Sequence, residues 1–299
     1  GAEMKNSNTP RESRKSAGLP TRALIVAFDG APSEAIQQAR TPHSDRLLRE
    51  GAYTWRAQAT LPTWSLQCYV SHLAGVRADA YELLSDPEGW LEPRTYSVPS
   101  LFDLAHEAGF RTAMFNNWHP LNELPKPGTV DRVFSYEPEN HGAPVSAPVV
   151  KEAADHLQSE KPELCFVHLD DPDAAGHQYG WRSAEQCAAV TRCDEYLGTL
   201  LSALEEAGTL EETLLFVVSD HAGGKKTEFL HGDAEDWTYS HSLVTTVPWI
   251  CCGPGIKRGH EIQTAVSIRD TAATVAFMLG LSIPEMWQGK IVRDALSAC

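Results

Sequence analysis

Short runs of almost entirely apolar residues recur along the chain, and each run ends at a polar or turn-forming residue. The first covers residues 22–28 and ends at Asp29, and later runs cover residues 164–169, 214–218 and 247–252. Strands that are buried on both faces have this continuous apolar pattern, whereas half-exposed strands alternate between apolar and polar residues. The pattern therefore predicts a central sheet of buried, mostly parallel strands.

Amphipathic stretches separate these runs and predict helices. They cover residues 41–50, 149–159, 184–207 and 268–279, and a helix-like stretch at 99–109 precedes a shorter apolar run at 111–115. Strands that alternate with helices are joined by right-handed crossovers in layered folds. We expect an α/β fold, a three-layer sandwich with a mostly parallel central sheet and helices on both faces.

The predicted core occupies most of the chain. Residues 1–21 are polar and mildly basic, so we predict a flexible N-terminal tail there and a single domain over residues 22–299. A chain of 299 residues is long enough to bury a large core in one domain. Two loop-rich segments that contain aromatic residues, 78–94 and 223–239, are long enough to be active-site loops.

The net charge limits the partners that we expect. The sequence has 25 basic and 40 acidic residues, which give a formal net charge of −15, and no basic run exceeds two residues. Nucleic-acid duplexes and anionic membranes attract clustered lysines and arginines, so neither is expected as a partner. A small anionic substrate is compatible with this charge if a bound metal supplies positive charge locally.

Several features of the sequence favour a cytoplasmic location. No apolar run approaches the roughly 20 residues of a membrane span, and the segment before residue 22 lacks the apolar core of a signal peptide. The seven cysteines form no CxxC pair, and several lie in apolar runs, so we expect them to be reduced core residues. The oligomeric state is left open.

Polar side chains follow the predicted strands at the edge where ligands bind in open α/β sheets. Asp29 ends the first strand, Asp173 follows the second, Asp220 and His221 end the third, and His241 precedes the fourth. A single Asp in such a place more often caps a helix, but three strand ends with such residues favour metal binding.

Carboxylates and imidazoles are the ligands that a divalent cation requires. Because Asp173 and His177 are four residues apart, one helical turn would put both side chains on one side. The candidates divide into two predicted metal sites, one with Asp29, Asp220 and His221 and the other with Asp173, His177 and His241.

Four motifs occur in an order that resembles a known superfamily. Residues 41–47 (TPHSDRL) are similar to its TPNLDRL element, 171–177 (DPDAAGH) to EPDSSGH, 219–221 to SDHG, and 248–255, read with His241, to its closing motif. In these motifs the chain, over residues 23–281, resembles the alkaline phosphatase superfamily, closest to its type I phosphodiesterase/nucleotide pyrophosphatase branch. The resemblance implies two bound divalent metal ions; zinc suits the Asp and His set best, and manganese or iron would use the same residues.

Two parts of this resemblance leave alternatives open. The last metal ligand is either His241, which the spacing to Pro248 favours, or His231 in the sequence His231-Gly232. Residues 61–71 resemble a family string that assigns Ser65 as the nucleophile, with Thr63 as the second choice. A hydroxyl at a helix N-terminus beside a divalent cation is suited to attack phosphorus, although Ser65 could instead be a helix N-cap.

The substrate contacts are the least constrained part of the prediction. The branch places an amide donor where this chain has Asp86, so the donor is missing, displaced or replaced by a residue such as Arg77. Trp118 follows the short strand at 111–115 and belongs to a predicted specificity loop. The chain has no CxPxR string from which a sulfatase nucleophile could form.

We therefore expect a two-metal phosphohydrolase that cleaves a phosphodiester or nucleotide pyrophosphate bond through a covalent phosphoserine-type intermediate. Phosphomonoester or phosphonate hydrolysis on the same fold is the alternative reaction. A non-catalytic, metal-dependent binding or sensor protein is the alternative class. The departures at Ala222, Asp86 and Gln67 favour that class, and the intact set of ligand candidates opposes it.

Overall fold

The predicted apolar runs form strands of one sheet in the computed structural model, which describes residues 10–81, 96–137, 146–224 and 242–297. The strands are β1 (Arg22–Phe28), β2 (Gly51–Gln58), β3 (Thr112–Asn116), β4 (Arg132–Ser135), β5 (Leu164–Leu169), β6 (Thr213–Val218), β7 (Thr246–Cys252) and β8 (His260–Glu261). Within the described residues the sheet has eight strands in the order β4-β3-β5-β1-β6-β7-β2-β8.

One strand reverses the direction of an otherwise parallel sheet. Strand β7 is antiparallel to both of its neighbours, β6 and β2, whereas every other pairing is parallel. The prediction of a mostly parallel α/β fold is confirmed. Because β7 is reversed, it begins, rather than ends, at the edge where β1, β5 and β6 end.

Helices cover both faces of the sheet. They are α1 (Pro10–Ser16), α2 (Ser33–Gln38), α3 (Pro42–Glu50), α4 (Ser65–Ala74), α5 (Leu101–Glu107), α6 (Ser146–Ser159), α7 (Asp171–Tyr179), α8 (Ala184–Glu206), α9 (Ser242–Thr245) and α10 (Asp270–Leu279). Buried residues of α4, α5 and α10 share one core with alternate residues of β1, and those of α2, α3, α6 and α8 share the other. All seven residues of β1 are buried, which explains its continuous apolar sequence.

The motif at residues 41–47 has a structural role. Its helix, α3, begins against α8, where the buried carboxylate of Asp194 accepts hydrogen bonds from the backbone N–H groups of His43 and Ser44 at 2.9 and 2.7 Å. The Ser44 hydroxyl donates a third bond to Asp194 at 2.6 Å. A carboxylate at a helix N-terminus satisfies N–H groups that lack partners within the helix.

The described part of the predicted N-terminal tail contacts the core domain through basic side chains. Residues 10–16 form α1, and Arg11 contacts the nearly buried carboxylate of Glu212. Arg14 donates to the carbonyl oxygen of Met278 in the last turn of α10. The basic side chains of Arg11 and Arg14 thus have acceptors in the core domain, and the division into a flexible tail and one domain stays a prediction.

The sequence pattern did not predict three strands, which are β2, β4 and the two-residue strand β8. Strand β2 mixes Trp55 and Tyr53 with Arg56 and Gln58 at its partly exposed positions, and β4 is a short edge strand with two exposed residues. None of these segments is a continuous apolar run. Among the described residues, no helix combines the length and the apolar character needed to cross a bilayer.

Candidate active site

The candidate ligands meet at one edge because three neighbouring strands run in parallel. Strand β1 lies between β5 and β6, and all three end at the same edge of the sheet. Asp29 directly follows β1, helix α7 begins two residues after β5, and Asp220 lies two residues after β6. The topology thus brings together side chains that are far apart in the sequence.

Gly30 allows residues of the two predicted metal sites to lie close together. Its backbone N–H donates to Asp220 Oδ1 at 3.0 Å, and a Cβ at this position would lie 2.6 Å from Asp173 Oδ1. Gly30 also has a φ of +65°, which glycine adopts without strain. The end of β1 therefore packs directly against the first turn of α7.

The imidazole of His221 lies at the centre of this cluster. Its Nε2 atom is 3.2 Å from Asp220 Oδ2, 3.7 Å from Asp29 Oδ1 and 3.8 Å from Asp173 Oδ1. Its Nδ1 atom is 3.2 Å from the carbonyl oxygen of Ala222, which can only accept, so Nδ1 carries the hydrogen in the neutral ring. The lone pair of Nε2 consequently faces three carboxylate oxygens.

The protonation tendencies in the cluster show the same crowding of negative charge. Burial, reinforced by the charges of Asp220 and Asp173, raises the pKa of Asp29 well above its ordinary value. Loss of hydration and the charges of Asp173 and Asp29 raise the pKa of Asp170. Burial lowers the pKa of His221 to about 4, although the charge of Asp173 opposes this shift. The ring is therefore neutral at pH 7.

The donor set fits a divalent cation. Ligand atoms of Asp29, Asp173 and His221 all lie within 4.8 Å of one another, and Asp29 Oδ1 is buried and accepts no hydrogen bond from the described residues. Buried carboxylates that face a neutral imidazole repel one another unless a proton or a cation lies between them. Carboxylate oxygen and imidazole nitrogen are ligands that zinc, manganese and iron share.

His177 has a more exposed position than the other candidate ligands that the structure describes. Its Nε2 atom lies 3.3 Å from Asp173 Oδ2 across one turn of α7, and 38% of its side chain is exposed. The spacing of four residues thus puts both side chains on one side of the helix, as predicted. The two candidates for the last ligand, His231 and His241, lie outside the described residues, and so does Asp86.

Ser65 lies at the start of α4 with its hydroxyl in the cluster. Its Oγ atom is 3.1 Å from His221 Nε2. The N-cap of α4 is Trp64, and Ser65 is the first helical residue, so Ser65 is not the cap. Thr63, the second choice for the nucleophile, is buried in the preceding loop with 2% of its surface exposed. The Ser65 hydroxyl is thus in contact with a candidate metal ligand.

A buried tryptophan packs against both predicted metal sites. The Trp181 ring lies edge-on to His177 and His221, with centroid separations of 5.3 and 6.3 Å. A Cβ would lie 2.5 Å from this ring at Gly176 and 1.7 Å from it at Gly223. Gly223, two residues after the Ser-Asp-His motif, must therefore lack a side chain, because a Cβ there would collide with the Trp181 ring.

Sequence reasoning missed a third imidazole. His168, in β5, places Nε2 2.6 Å from Asp29 Oδ2, and the Tyr69 hydroxyl donates to the same oxygen at 3.0 Å. Ligand atoms of Asp29, His168 and Asp170 also lie within 4.8 Å of one another. The only signal in the sequence is that a histidine interrupts an otherwise apolar strand two residues before Asp170.

The two remaining substrate-binding candidates, Trp118 and Arg77, lie in different parts of the structure. Trp118 lies two residues after β3, at the ligand edge of the sheet, and its half-buried side chain packs on one core. Arg77 lies beyond the C-terminal end of α4, so about 15 Å of helix lies between it and Ser65. Its guanidinium, half-exposed, pairs with Asp79 at 3.3 Å. The structure therefore does not bring Arg77 into the described cluster.

Comparison with known proteins identifies the family. The family model for type I phosphodiesterase / nucleotide pyrophosphatase matches residues 23–237 of this chain. These residues include every described member of the cluster. The chain belongs to this family. The resemblance inferred from the four motifs is confirmed, within the wider alkaline phosphatase superfamily.

Two curated relatives match over part of their length. A 2,3-bisphosphoglycerate-independent phosphoglycerate mutase from Natronomonas pharaonis is 33% identical over 157 residues, which are 50% of this chain and 28% of the mutase. The bis(5'-adenosyl)-triphosphatase ENPP4 of Homo sapiens is 23% identical over 231 residues, which are 70% of this chain and 49% of that relative. The chain thus spans less than half the length of these curated relatives.

Solved structures share the fold. An inactive form of murine ectonucleotide pyrophosphatase/phosphodiesterase 5 in complex with AMP has a TM-score of 0.73 at 16% identity, with 93% of this chain and 100% of that chain covered. A phosphonate monoester hydrolase from Silicibacter pomeroyi has a TM-score of 0.68 at 15% identity, with 91% and 76% covered.

Proposed function

We propose that this protein is a two-metal phosphohydrolase that cleaves a phosphodiester or nucleotide pyrophosphate bond, with Ser65 as its nucleophile. The observation that carries the proposal is the position of Ser65 Oγ, 3.1 Å from His221 Nε2 within a cluster of buried carboxylates. The family description, which names both phosphodiesterase and nucleotide pyrophosphatase, supports the reaction class.

Two divalent ions would be held by two sets of ligands. Asp29, Asp220 and His221 hold one ion, and Asp173, His177 and His241 hold the other, with His231 as the alternative to His241. We favour zinc for this donor set, with manganese or iron as alternatives. When bound, such ions supply positive charge that stabilises an alkoxide and the charge that develops on phosphoryl oxygens.

The chain's own residues would orient and carry the reaction. Ser65 Oγ attacks phosphorus, the Oγ–P bond forms as the bond from phosphorus to the leaving oxygen breaks, and the hydroxyl proton leaves to solvent. The backbone N–H groups in the first turn of α4 lack intrahelical acceptors and suit the phosphoryl oxygens. Water then cleaves the phosphoserine-type ester and restores the Ser65 hydroxyl.

The substrate is proposed to be a small anionic ester. ENPP4 is described as a bis(5'-adenosyl)-triphosphatase, and the murine structural neighbour was obtained with AMP. Both descriptions involve an adenosine 5'-phosphoryl group, which suits a pyrophosphate or diester bond next to a nucleoside. We therefore place cleavage of such bonds ahead of monoester and phosphonate hydrolysis.

The decisive experiment compares two hydroxyl variants. Ser65→Ala should abolish turnover of bis-(4-nitrophenyl) phosphate while metal content, measured on the same dialysed sample, stays that of the wild type. Thr63→Val is the matched control because it also removes a hydroxyl two residues away, and it should retain turnover. Full activity of Ser65→Ala together with inactive Thr63→Val would transfer the role to Thr63, and activity in both would remove the covalent proposal.

A substrate panel tests the reaction class. We expect turnover of bis-(4-nitrophenyl) phosphate and of bis(5'-adenosyl) triphosphate to exceed that of 4-nitrophenyl phosphate. A strong preference for the monoester would reverse our order of reactions. Two bound metals without turnover of any of these compounds would favour the alternative class, a metal-dependent binding or sensor protein.

A further inference from the structure

The two oxygens of the Asp29 carboxylate have different surroundings. Oδ2 is 2.6 Å from His168 Nε2 and accepts from the Tyr69 hydroxyl at 3.0 Å, whereas Oδ1 accepts no hydrogen bond from the described residues. Oδ1 instead faces His221 Nε2 at 3.7 Å. One oxygen is thus held by protein donors, and the other points into the candidate metal cluster.

The register of the sheet places His168 against Asp29. His168 pairs with Ala27 across the parallel strands β5 and β1. Because side chains alternate between the faces of a strand, Asp29 is the next residue of the chain on the same side as Ala27, diagonal to His168. The contact therefore depends on the sheet rather than on a mobile loop, and His168 is fully buried.

A second contact selects the tautomer of His168. The backbone N–H of Asn117 points at Nδ1 with a separation of 3.4 Å, so Nδ1 is the acceptor. The hydrogen of the neutral ring then lies on Nε2, which donates it to Asp29 Oδ2. Two donors, His168 and Tyr69, consequently occupy the lone pairs of this oxygen.

We infer that His168 and Tyr69 are positioning residues that make Asp29 a one-oxygen ligand. They would hold Oδ2 in hydrogen bonds to the protein and leave Oδ1 to face the ion that Asp220 and His221 share. The inference rests on the proposed function, because it assigns a role relative to that metal site. Donors of this kind typically change metal affinity by 10- to 100-fold.

The test measures metal binding directly. Zinc affinity and stoichiometry are determined by equilibrium titration of dialysed wild type, His168→Phe, His168→Gln and Tyr69→Phe, and the thermal midpoint of each metal-free protein is recorded. Tyr81→Phe is the matched control, since it removes a buried tyrosine hydroxyl that donates to the carbonyl oxygen of Leu124 at 2.6 Å, outside the cluster.

We expect His168→Phe and Tyr69→Phe each to weaken zinc binding by about 10- to 100-fold, without loss of a bound equivalent. His168→Gln, which retains an N–H donor, should recover part of the affinity, and Tyr81→Phe should bind zinc as the wild type does.

Three results would overturn the inference. Unchanged affinity in His168→Phe and Tyr69→Phe, whatever their thermal midpoints, would leave these residues a structural role only and the proposed function intact. Loss of one zinc equivalent in His168→Phe would make His168 a ligand. A wild type that binds no zinc, manganese or iron would overturn both the inference and the proposed function.

Discussion

Gly30 and Asp173 are in contact where the end of β1 meets the first turn of α7. A Cβ on Gly30 would lie 2.6 Å from Asp173 Oδ1 and 2.9 Å from Asp173 Cα, and the second neighbour is a backbone atom that can move only if α7 shifts. The absence of a side chain at position 30 therefore sets the distance between two carboxylates, Asp29 and Asp173, that the proposed function assigns to different metal ions.

This contact predicts the effect of a single methyl group. Gly30→Ala should lower the free energy of unfolding by about 2 to 4 kcal/mol, because it combines overpacking with a positive φ. Gly208→Ala is the control, since Gly208 also has a positive φ, +70°, but has no atom within 4 Å of the added Cβ. It should cost only about 1 kcal/mol. Equal losses in chemical denaturation would show that the α7 contact is not tight.

From the crowding of the carboxylates we predict that Asp29→Asn affects stability differently in the presence and in the absence of metal. In dialysed protein, Asp29→Asn should be as stable as the wild type or more stable, because it removes a buried charge that Asp220 and Asp173 repel. Zinc or manganese at 100 times the dissociation constant should stabilise the wild type by about 2.7 kcal/mol. The same addition should stabilise the variant far less.

Asp194→Asn provides the control for this comparison. Asp194 is also a fully buried carboxylate, but three donors satisfy it at the start of α3. Its replacement should destabilise the protein with and without metal and leave the metal-induced shift in the thermal midpoint unchanged. Stabilisation of metal-free Asp194→Asn, or destabilisation of metal-free Asp29→Asn, would contradict this account of the cluster.

Glu212 predicts part of the acid sensitivity of the fold. Burial alone would raise the pKa of Glu212, but hydrogen bonds from Arg22 and Arg11 outweigh it and lower the pKa to about 2. A carboxylate whose pKa is depressed in the folded state stabilises that state above its unfolded pKa and ceases to do so as pH falls through the folded value. This contribution should therefore disappear between about pH 4.5 and pH 2.

Substitution isolates this contribution. At pH 7, Glu212→Gln should be less stable than the wild type by about 1 to 3 kcal/mol, allowing for solvent screening. That difference should shrink as the pH of the unfolding experiment approaches 2. Glu152→Gln, which removes an exposed partner of Arg132, should change stability by less than about 1 kcal/mol at every pH. A constant difference for Glu212→Gln across this pH range would refute the assignment.

Much of the fold could be predicted because its strands have a distinct local pattern. Residues 22–28 and 164–169 were predicted as strands with the bounds that the structure has, since burial on both faces requires an unbroken apolar run. Strand β2 was missed because one part of it faces solvent and carries polar side chains. The direction of β7 could not be predicted either, because a buried strand has the same continuous apolar pattern in parallel and in antiparallel pairing.

The sequence by itself indicated those candidate ligands that lie next to a recognisable element. Two sets lie just after a recognisable strand, namely Asp29 and the Asp220-His221 pair, and a third, Asp173 with His177, spans one helical turn. Such short-range relations can be read from the spacing of residues in the sequence. Assignment to the family followed from the order of those motifs, and the comparison confirmed it.

Only the tertiary structure decided how these groups meet. His168 and Asp29 are 139 residues apart, and their contact depends on which strands are neighbours and in what register. The approach of α7 to Gly30 and the packing of Trp181 between two glycines likewise depend on distances between elements. Periodicity reports whether a residue is buried, but the partner of a buried residue is set by the packing of the whole sheet and its helices.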